Sequence, residues 1–395
     1  MKVKKKLIRL AAIALALVMV LGVAGCGGSG GGGGAQQPSG GSQQPASPPP
    51  GPGSLAQQPA PEIVDPGPAD PALVQTRTTP ITLTFAHSFP ATHHHHLGIV
   101  MPFVEAFMEA TEGMVEIIVH PGGSLTTATT ALDDVITGSI DMTWSVPGWN
   151  PGRFPMSELF ELPNLYFSSV ESANVLWDMM ENNEDFQKEF GEAKFFNIYT
   201  CVPGTIWSVP RAVRVPSDLV GLSIRSPGSV IERSLQAAGA ATANIPMGEA
   251  YDNLDRGVVT GMAADCTAIP TYSLWDVLNY GIDGMSLYVS MQFNAMSWDA
   301  WNRLNEFEQA AFDRLSGRTL GLASAIYYDE LGEEAMRQIY DSGLVELAVL
   351  TPEENAEWDA VFEPLTQAYI DDLNSRGLNG QGYFDQMIAY RDARR

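Results

Sequence analysis

The sequence predicts an α/β protein made of two lobes. Residues 80–145 follow the order strand, helix, strand, helix, strand, which is typical of a parallel sheet with helices on its faces. A second α/β unit lies at 213–265, where a short strand ends at Arg225. The folded part spans about 315 residues, which is large for one compact core and suits two lobes.

The first lobe is predicted from its alternating residue patterns. Strand 81–86 alternates apolar and polar residues, as a strand with one buried face does. Helix 97–112 carries an apolar stripe and stops at Gly113. The other elements predicted for this lobe are strands 114–120, 140–145 and 195–201 and helices 127–137 and 170–190.

The second lobe is predicted to begin at Gly204, after the break that follows strand 195–201. Its predicted elements are strands 222–225 and 258–263 and helices 230–238, 247–256 and 271–278. Strand 285–294 then returns the chain, and the remainder is mostly helical, at 298–334 and 351–375. The predicted organisation is lobe I at 80–203, lobe II at 204–290, and a return to lobe I with C-terminal bracing helices at 291–395.

Residues 1–25 have the organisation of an export signal. A basic start precedes an apolar run at 10–20, and small residues lead up to Cys26. The apolar run falls short of the ~20 residues that a membrane-spanning helix needs. The residues that end in Cys26 resemble the bacterial lipobox, in which the cysteine becomes the lipidated first residue of the mature protein. Plain secretory cleavage is the alternative, and the location expected is the outer face of the cell membrane or the periplasm.

Residues 26–79 are predicted to form a flexible tether. Gly, Pro, Gln, Ser and Ala dominate this segment, so it cannot bury enough apolar surface to offset its ordering entropy. The whole chain has a formal net charge of −24, which opposes binding to nucleic acid and to anionic lipid heads. Besides Cys26, the chain contains Cys201 and Cys266, which form either a disulfide or two separate thiols.

Arg225 is the first candidate for ligand binding. It stands at the carboxyl end of a predicted strand, where the crevices of open α/β sheets bind ligands. A guanidinium group can hold a carboxylate through two parallel hydrogen bonds. A salt bridge within the lobe is the alternative. Trp144, Trp149 and Trp207 lie near predicted strand ends, where they form either core packing or an apolar cleft wall.

The sequence also contains residues that could form a metal site or a catalytic triad. The run from His93 to His96 could catch a transition metal in a metal-uptake receptor, although adjacent residues point in different directions and cannot close a site alone. Cys266, His87 and Asp265 could be written as a catalytic triad, but no local signature supports them. We therefore expect neither an enzyme nor a bound cofactor.

Several segments together resemble the extracytoplasmic solute-binding proteins of TRAP transporters, the DctP family. Their order and spacing carry the likeness: 85–87, 119–125, 138–142, 151–155, 161–163, 217–225, 248–251 and 257–261. The resemblance implies two α/β lobes joined by hinge strands and a long helix, as in periplasmic binding proteins. It also implies a small organic acid as ligand and a membrane permease as partner.

By the same resemblance, Arg225 matches the arginine that pairs with the ligand carboxylate. The matching pattern also places ligand contacts near His87, Trp149, Met247 and Asp265. Trp207 and Gln292 complete the predicted ligand contacts.

The chain departs from the family pattern at two positions. Ile206 stands where many members have a second arginine, and Asp265 lies where a polar amide is expected. An ionised Asp265 near Arg225 would compete with an acidic ligand for the guanidinium group. These departures favour a monocarboxylate with an apolar or hydroxylated body over a dicarboxylate or a sialic acid.

Overall fold

The computed structural model describes residue 70 and residues 72–395. The predicted signal, Cys26 and most of the predicted tether lie outside the described residues. In chain order the strands are β1 (Ile81–Ala86), β2 (Val115–His120), β3 (Met142–Ser145), β4 (Lys194–Thr200), β5 (Gly204–Ser208), β6 (Ser223–Ser226), β7 (Ala241–Asn244), β8 (Gly261–Asp265), β9 (Tyr280–Asp283), β10 (Met291–Met296) and β11 (Glu346–Val349). The α-helices are α1 (Met101–Ala110), α2 (Ala131–Ile136), α3 (Ser169–Asn182), α4 (Glu184–Lys188), α5 (Ser229–Ala237), α6 (Ala250–Asp255), α7 (Ala268–Thr271), α8 (Trp298–Asn302), α9 (Glu306–Leu315), α10 (Gly317–Ser342), α11 (Pro352–Ser375) and α12 (Gly380–Asp392).

The lobe I sheet has, within the described residues, five strands in the order β2-β1-β3-β10-β4. Strand β1 pairs in parallel with β2 and β3, so the parallel arrangement predicted for this part of the chain is confirmed. Strand β10 runs antiparallel to both β3 and β4. Leu83 and Phe85 are buried on one side of β1, as its alternation predicts.

The lobe II sheet has, within the described part of the chain, six strands in the order β11-β9-β5-β8-β6-β7. Strand β6 is parallel to β7 and β8, and β5 is antiparallel to β8 and β9. Gly261 starts β8 because the strand passes close to its neighbour: a Cβ there would lie 2.5 Å from the backbone oxygen of Trp207. Arg225 lies in β6, in the interior of this sheet.

The two lobes are joined by a pair of antiparallel segments that form the hinge. The backbone N–H of Cys201 donates to the carbonyl of Ser290 at 3.0 Å, and the N–H of Gly204 donates to the carbonyl of Tyr288 at 2.8 Å. Helix α10 spans both lobes, since its 26 residues extend about 39 Å. Its Leu320 packs in a lobe I core, whereas Leu331 packs with lobe II residues. The two-lobed α/β fold is thus confirmed.

The C-terminal segment contacts both lobes, and besides the predicted bracing helices it contains a strand that was not predicted. Strand β11 pairs in parallel with β9 and so extends the lobe II sheet. Helix α11 packs on α5 of lobe II, while α12 packs on α3 of lobe I. Periodicity could not reveal this, because a short strand between two long helices has no neighbour along the sequence to pair with.

The described end of the predicted tether is part of the folded structure. Arg77 forms an ion pair with the buried Glu308, with 2.7 Å between Nε and Oε1. Gln75 also donates to Glu308 at 3.1 Å. These contacts place the start of the folded part a few residues before the predicted boundary at 79. Cys201 and Cys266 are buried free thiols, so of the two possibilities the structure has separate thiols. Within the described residues no helix has the length and apolarity of a bilayer span.

Candidate ligand-binding cleft

A cavity of about 90 Å³ lies between the two lobes. Lobe I and the return strand supply mostly rings and one amide: Phe89, His93, His94, Trp144, Trp149 and Gln292. Lobe II supplies a cation, an acid, a thioether and two phenols: Arg225, Asp265, Met247, Tyr272 and Tyr288. Five of the predicted ligand contacts therefore line one cavity: Arg225, Trp149, Met247, Asp265 and Gln292.

Arg225 lies in this cavity as a buried cation with an exposed fraction of only 1%. Its Nε donates to the carbonyl of Ile245 at 2.7 Å and its Nη1 to the carbonyl of Ala263 at 3.0 Å. Among the described residues, Nη2 has no hydrogen-bond partner and no carboxylate forms an ion pair with the group. Burial lowers the pKa of Arg225, which shows the cost of holding this charge away from water. The guanidinium group of Arg225 could therefore pair with an anion that enters the cavity.

Tyr272 and Tyr288 place two phenol groups beside Arg225. Neither hydroxyl has a hydrogen-bond partner among the described residues. Burial raises the pKa of Tyr288 well above its usual value, so the phenol keeps its proton as a donor. Its ring lies against Gly204, where a Cβ would be 2.2 Å from the ring atom Cε1. A glycine at this position is what allows Tyr288 to reach the cavity.

Asp265 also lines the cavity, but within the described part of the chain it forms no ion pair or hydrogen bond with the guanidinium group of Arg225. Its Oδ1 accepts from the backbone N–H of Thr267 at 3.0 Å and also from the Thr267 hydroxyl. Burial raises the pKa of Asp265, while the hydrogen bonds from Thr267 act in the opposite direction. The expected competition for Arg225 is thus weakened, because the carboxyl group already has local partners and is less readily ionised.

Gln292 is held in one orientation by two donors. Its Oε1 accepts from Trp144 Nε1 at 3.2 Å and from the Tyr328 hydroxyl at 3.3 Å. Its amide nitrogen then faces the cavity as a donor without a partner among the described residues. Trp149 packs edge-on against Trp144, with ring centroids 5.4 Å apart. Together the indoles and the amide form the wall that lobe I presents to the cavity.

His87 and Trp207 do not line the cavity, which corrects two of the predicted contacts. His87 is fully buried behind the wall, with its Nε2 3.0 Å from His96 Nδ1. Trp207 is also fully buried, and its Nε1 donates to the carbonyl of Ala264 at 2.9 Å in the lobe II core. Ile206 is buried in the hydrophobic core, so it offers no second cation to the cavity.

The described residues form neither of the alternative sites, a metal site or a catalytic triad, although several of the histidines contact one another. The residues described include no group of three or more His, Cys, Asp or Glu side chains that could hold a metal ion. Cys266 points to the carbonyl of Gly332 at 3.5 Å, away from the cleft, and burial raises the pKa of its thiol. Cys266, His87 and Asp265 each bond to other groups and not to one another.

A larger cavity of about 450 Å³ lies near the hinge and α10. Its described lining contains the acids Asp283, Asp329 and Glu333 and no arginine or lysine. An anionic ligand would meet three acids and no cation there. Burying an anion requires a cation or donors, and of these two cavities only the one around Arg225 has an arginine in its described lining, so it is the better candidate site.

Tyr288 was not among the predicted ligand contacts, although the sequence contains a pattern that indicates it. Tyr288, Ser290 and Gln292 are two residues apart, so a strand places them on one face. All three line the cavity. Once Gln292 was a candidate, the period of two pointed to Tyr288 as well. Tyr272 had no such signal, since it follows a short helix whose position depends on tertiary packing.

Residues 85–372 match the family model described as bacterial extracellular solute-binding protein, family 7. The C4-dicarboxylate-binding periplasmic protein DctP of Rhodobacter capsulatus is 24% identical over 311 residues, which cover 75% of this chain and 87% of that protein. The outer membrane transporter protein TsaT of Comamonas testosteroni is 24% identical over 306 residues, covering 75% of this chain and 88% of that protein.

Solved structures share the fold over most of the chain. One is a TRAP solute binding protein from a marine metagenome, specific for aromatic acid ligands, in complex with metahydroxyphenylacetate; it has a TM-score of 0.75, 24% identity, and coverage of 79% of this chain and 99% of its own. Another is a TRAP periplasmic solute binding protein from Bordetella bronchiseptica with bound (R)- and (S)-mandelate; it has a TM-score of 0.74, 24% identity, and coverage of 80% and 100%.

Proposed function

The chain belongs to family 7 of the bacterial extracellular solute-binding proteins, and on that premise we propose that it captures a small monocarboxylate with an apolar body. The ligand would be handed to a membrane permease of the TRAP type. The family consists of solute-binding receptors, so no covalent chemistry is required. The observation that carries the proposal is Arg225, a buried cation in the lining of the interlobe cavity whose Nη2 has no hydrogen-bond partner in the described part of the chain.

One carboxylate satisfies this arrangement better than two. Arg225 is the only arginine or lysine in the described lining of the cavity, and the phenols of Tyr272 and Tyr288 add neutral donors beside it. A second carboxylate would be desolvated against rings and would have no cation to pair with, which costs several kcal/mol. Asp265 would repel it further whenever that side chain is ionised.

The body of the ligand would rest against rings and a thioether. Phe89, Trp144, Trp149 and Met247 line the cavity, and flat rings bury a flat carbon skeleton well. The similar structures support this class of ligand, since their ligands include benzoate in a protein from Rhodoferax ferrireducens as well as mandelate and metahydroxyphenylacetate. Each of those ligands has a single carboxylate and a ring.

Capture would proceed by closure of the two lobes around the hinge. The ligand bridges the lobes and shifts an open ensemble towards a closed one. In the structure, lobe I and lobe II touch at two glycines, Gly148 and Gly228. A Cβ on Gly148 would lie 3.3 Å from the Cα of Gly228 and 3.3 Å from the carbonyl oxygen of Pro227. The lobes thus meet backbone to backbone at this edge of the cleft.

The variant Gly148→Leu is expected to weaken ligand binding by about tenfold or more, because a side chain there holds the lobes apart and lowers the population of the closed form. The stability of the ligand-free protein should change little, since the open form leaves room for the leucine. Isothermal titration with benzoate and thermal unfolding without ligand measure the two quantities.

The matched control is Gly191→Leu, because a Cβ at that position meets only ordinary contact at 3.5 Å and the site lies away from the cleft. It should leave the affinity unchanged. Gly228→Leu should reproduce the loss from the opposite lobe. Wild-type affinity in both Gly148→Leu and Gly228→Leu would show that the lobes do not close at this contact.

We further propose that Cys26 is lipidated and anchors the receptor to the membrane. The support is the sequence alone, in which a basic start and an apolar run lead to Cys26. The native protein is expected to enter the detergent phase of a Triton X-114 extract, and Cys26→Ser is expected to remain in the aqueous phase. Cys201→Ser serves as the control and should stay with the detergent. Wild-type protein in the aqueous phase would contradict the anchor.

The receptor proposal is tested by a thermal-shift screen of mono- and dicarboxylates, keto acids, amino acids and sugar acids. Ring-bearing monocarboxylates such as benzoate and mandelate are expected to raise the unfolding temperature most. Succinate and other small dicarboxylates are expected to have a weaker effect. The monocarboxylate proposal fails if dicarboxylates stabilise the protein more strongly than every monocarboxylate tested.

A further inference from the structure

Two neighbouring imidazoles, His93 and His94, line the same cavity as Arg225, and the proposed pairing of a ligand carboxylate with Arg225 does not require them. Each side chain is only 4% exposed. In both rings Nε2 has no hydrogen-bond partner among the described residues. Neither of these Nε2 atoms is completely buried. His95 Nε2, in contrast, is completely buried and has no hydrogen-bond partner within the described residues. The two Nε2 atoms therefore open to the cavity.

The protonation of His93 follows from its one hydrogen bond. Its Nδ1 accepts from the backbone N–H of His95 at 3.1 Å, so Nδ1 carries a lone pair. The ring is neutral, because burial and the neighbouring imidazoles hold the pKa of His93 well below its usual value. A neutral imidazole has one proton, which must then be on Nε2. His93 therefore offers a donor to the cavity.

His94 has the opposite arrangement. The Thr271 hydroxyl donates its only proton to the carbonyl of Thr267 at 2.7 Å, so towards His94 Nδ1, at 3.3 Å, it can only accept. His94 Nδ1 must then carry the proton, and Nε2 carries the lone pair. Burial lowers the pKa of His94 to about 3, so this ring is neutral as well. His94 therefore offers an acceptor.

We propose that His93 and His94 form a subsite that recognises a hydroxyl group on the body of the ligand. Their ring centroids are 4.1 Å apart, which sets a donor beside an acceptor. A hydroxyl group donates one hydrogen bond and accepts others, so it satisfies both atoms at once. A carboxylate can only accept and an ammonium group can only donate, so each leaves one atom unpaired.

This inference rests on the proposed function and narrows its ligand to a hydroxylated, ring-bearing monocarboxylate. The selectivity has a physical source in the ligand that lacks the hydroxyl. Such a ligand displaces water from the cavity and leaves two buried polar atoms without partners, which is more costly than the gain from a single hydrogen bond. The subsite thus rejects the parent acid more strongly than it attracts the hydroxylated one.

The test compares hydroxylated acids with their parents by isothermal titration of the purified protein. The probes are benzoate, phenylacetate and the 2-, 3- and 4-hydroxy isomers of each. At least one isomer is expected to bind about tenfold or more tightly than its parent. His93→Phe keeps the ring that stacks on Phe89, with centroids 4.0 Å apart, and removes the donor. His94→Phe removes the acceptor. Each variant should reduce the preference to about twofold or less while binding the parent acid.

A substitution by glutamine separates a role in recognising the hydroxyl group from a purely structural role. A glutamine amide group can stand near the position of Nε2, so His93→Gln should keep part of the hydroxyl preference that His93→Phe loses. If either phenylalanine variant fails to fold, the other variant, the preference of the wild-type protein and its partial retention in His93→Gln serve as the test. An undiminished preference in His93→Phe and His94→Phe, or no preference in the wild-type protein, overturns the subsite while the receptor stands. Failure of every acid, parents included, to bind the wild-type protein overturns both.

Discussion

Arg225→Gln is expected to abolish measurable binding of ring-bearing monocarboxylates. In the wild-type protein the ligand carboxylate would meet a guanidinium group with no competing carboxylate bonded to it, and glutamine removes that charge. Truncation of one partner of a buried charge pair costs about 2–5 kcal/mol, which corresponds to a loss in affinity of about thirtyfold to several thousandfold. The thermal shift produced by benzoate should therefore vanish, and titration calorimetry should show the loss directly.

Two further variants make this expectation specific to the geometry of Arg225. Arg225→Lys retains the positive charge but cannot hold the carbonyls of Ile245 and Ala263 and also form a paired contact with a carboxylate. It should recover only part of the affinity. Arg256→Gln removes an exposed arginine of the same lobe that pairs with Asp252, and this variant should bind the ligand as the wild type does. Affinity within twofold of wild type in Arg225→Gln would refute the role of this residue.

The sequence predicted local features well where a pattern repeats along the chain. The strands β1, β2 and β3 were predicted because helices separate them and apolar residues recur at the expected period. Helix α11 was predicted at nearly its observed bounds, because Thr351 and Glu354 form a capping box at its start. Predicted helix 298–334 is instead divided into α8, α9 and α10. Its apolar pattern continues across the breaks at Asn305 and Ser316, so periodicity alone did not show them.

Features that depend on contacts between distant segments could not be predicted. The antiparallel insertion of β10 between β3 and β4 pairs it with residues about 150 positions away in β3 and about a hundred positions away in β4. Strand β11 likewise adds to a sheet whose other strands end far earlier in the chain. Short strands of this kind have little intrinsic preference, since a strand is stabilised mainly by its cross-strand neighbours.

The residues of the candidate site fall into the same two groups, those predictable from local features and those that depend on tertiary contacts. Arg225 was predictable because a strand end followed by a break is a local feature, and strand ends face ligand crevices. The sequence does not show whether the run from His93 to His96 is exposed or buried, and in the structure all four residues are buried. Imidazole is polar enough to be expected at the surface and yet is tolerated inside when it is neutral and hydrogen-bonded. Only the tertiary contacts with Thr271, Tyr199 and His87 decide between those outcomes.

Trp207 and Trp149 were indistinguishable in the sequence, and their alanine variants should separate them. Trp207→Ala is expected to destabilise the protein by about 3–5 kcal/mol, because it removes a fully buried indole and leaves a cavity. It also leaves the carbonyl of Ala264 without its donor. The ring fits against Gly281, where a Cβ would lie 2.5 Å from the indole atom Cε3, so this pocket is shaped around the tryptophan.

Trp149→Ala should instead reduce ligand binding more than it reduces stability. Its side chain is half-buried at the cavity wall, so the loss of stability should be smaller than for Trp207→Ala, while the affinity for benzoate should fall as the ring loses an apolar surface. Urea unfolding in the absence of ligand measures the first effect and titration calorimetry the second. If Trp207→Ala leaves stability nearly unchanged and removes binding, then Trp207 contacts the ligand after all, and the lobe II core does not depend on it. Comparing the two variants therefore tests whether a tryptophan near a predicted strand end contacts the ligand, or whether its burial determines its role.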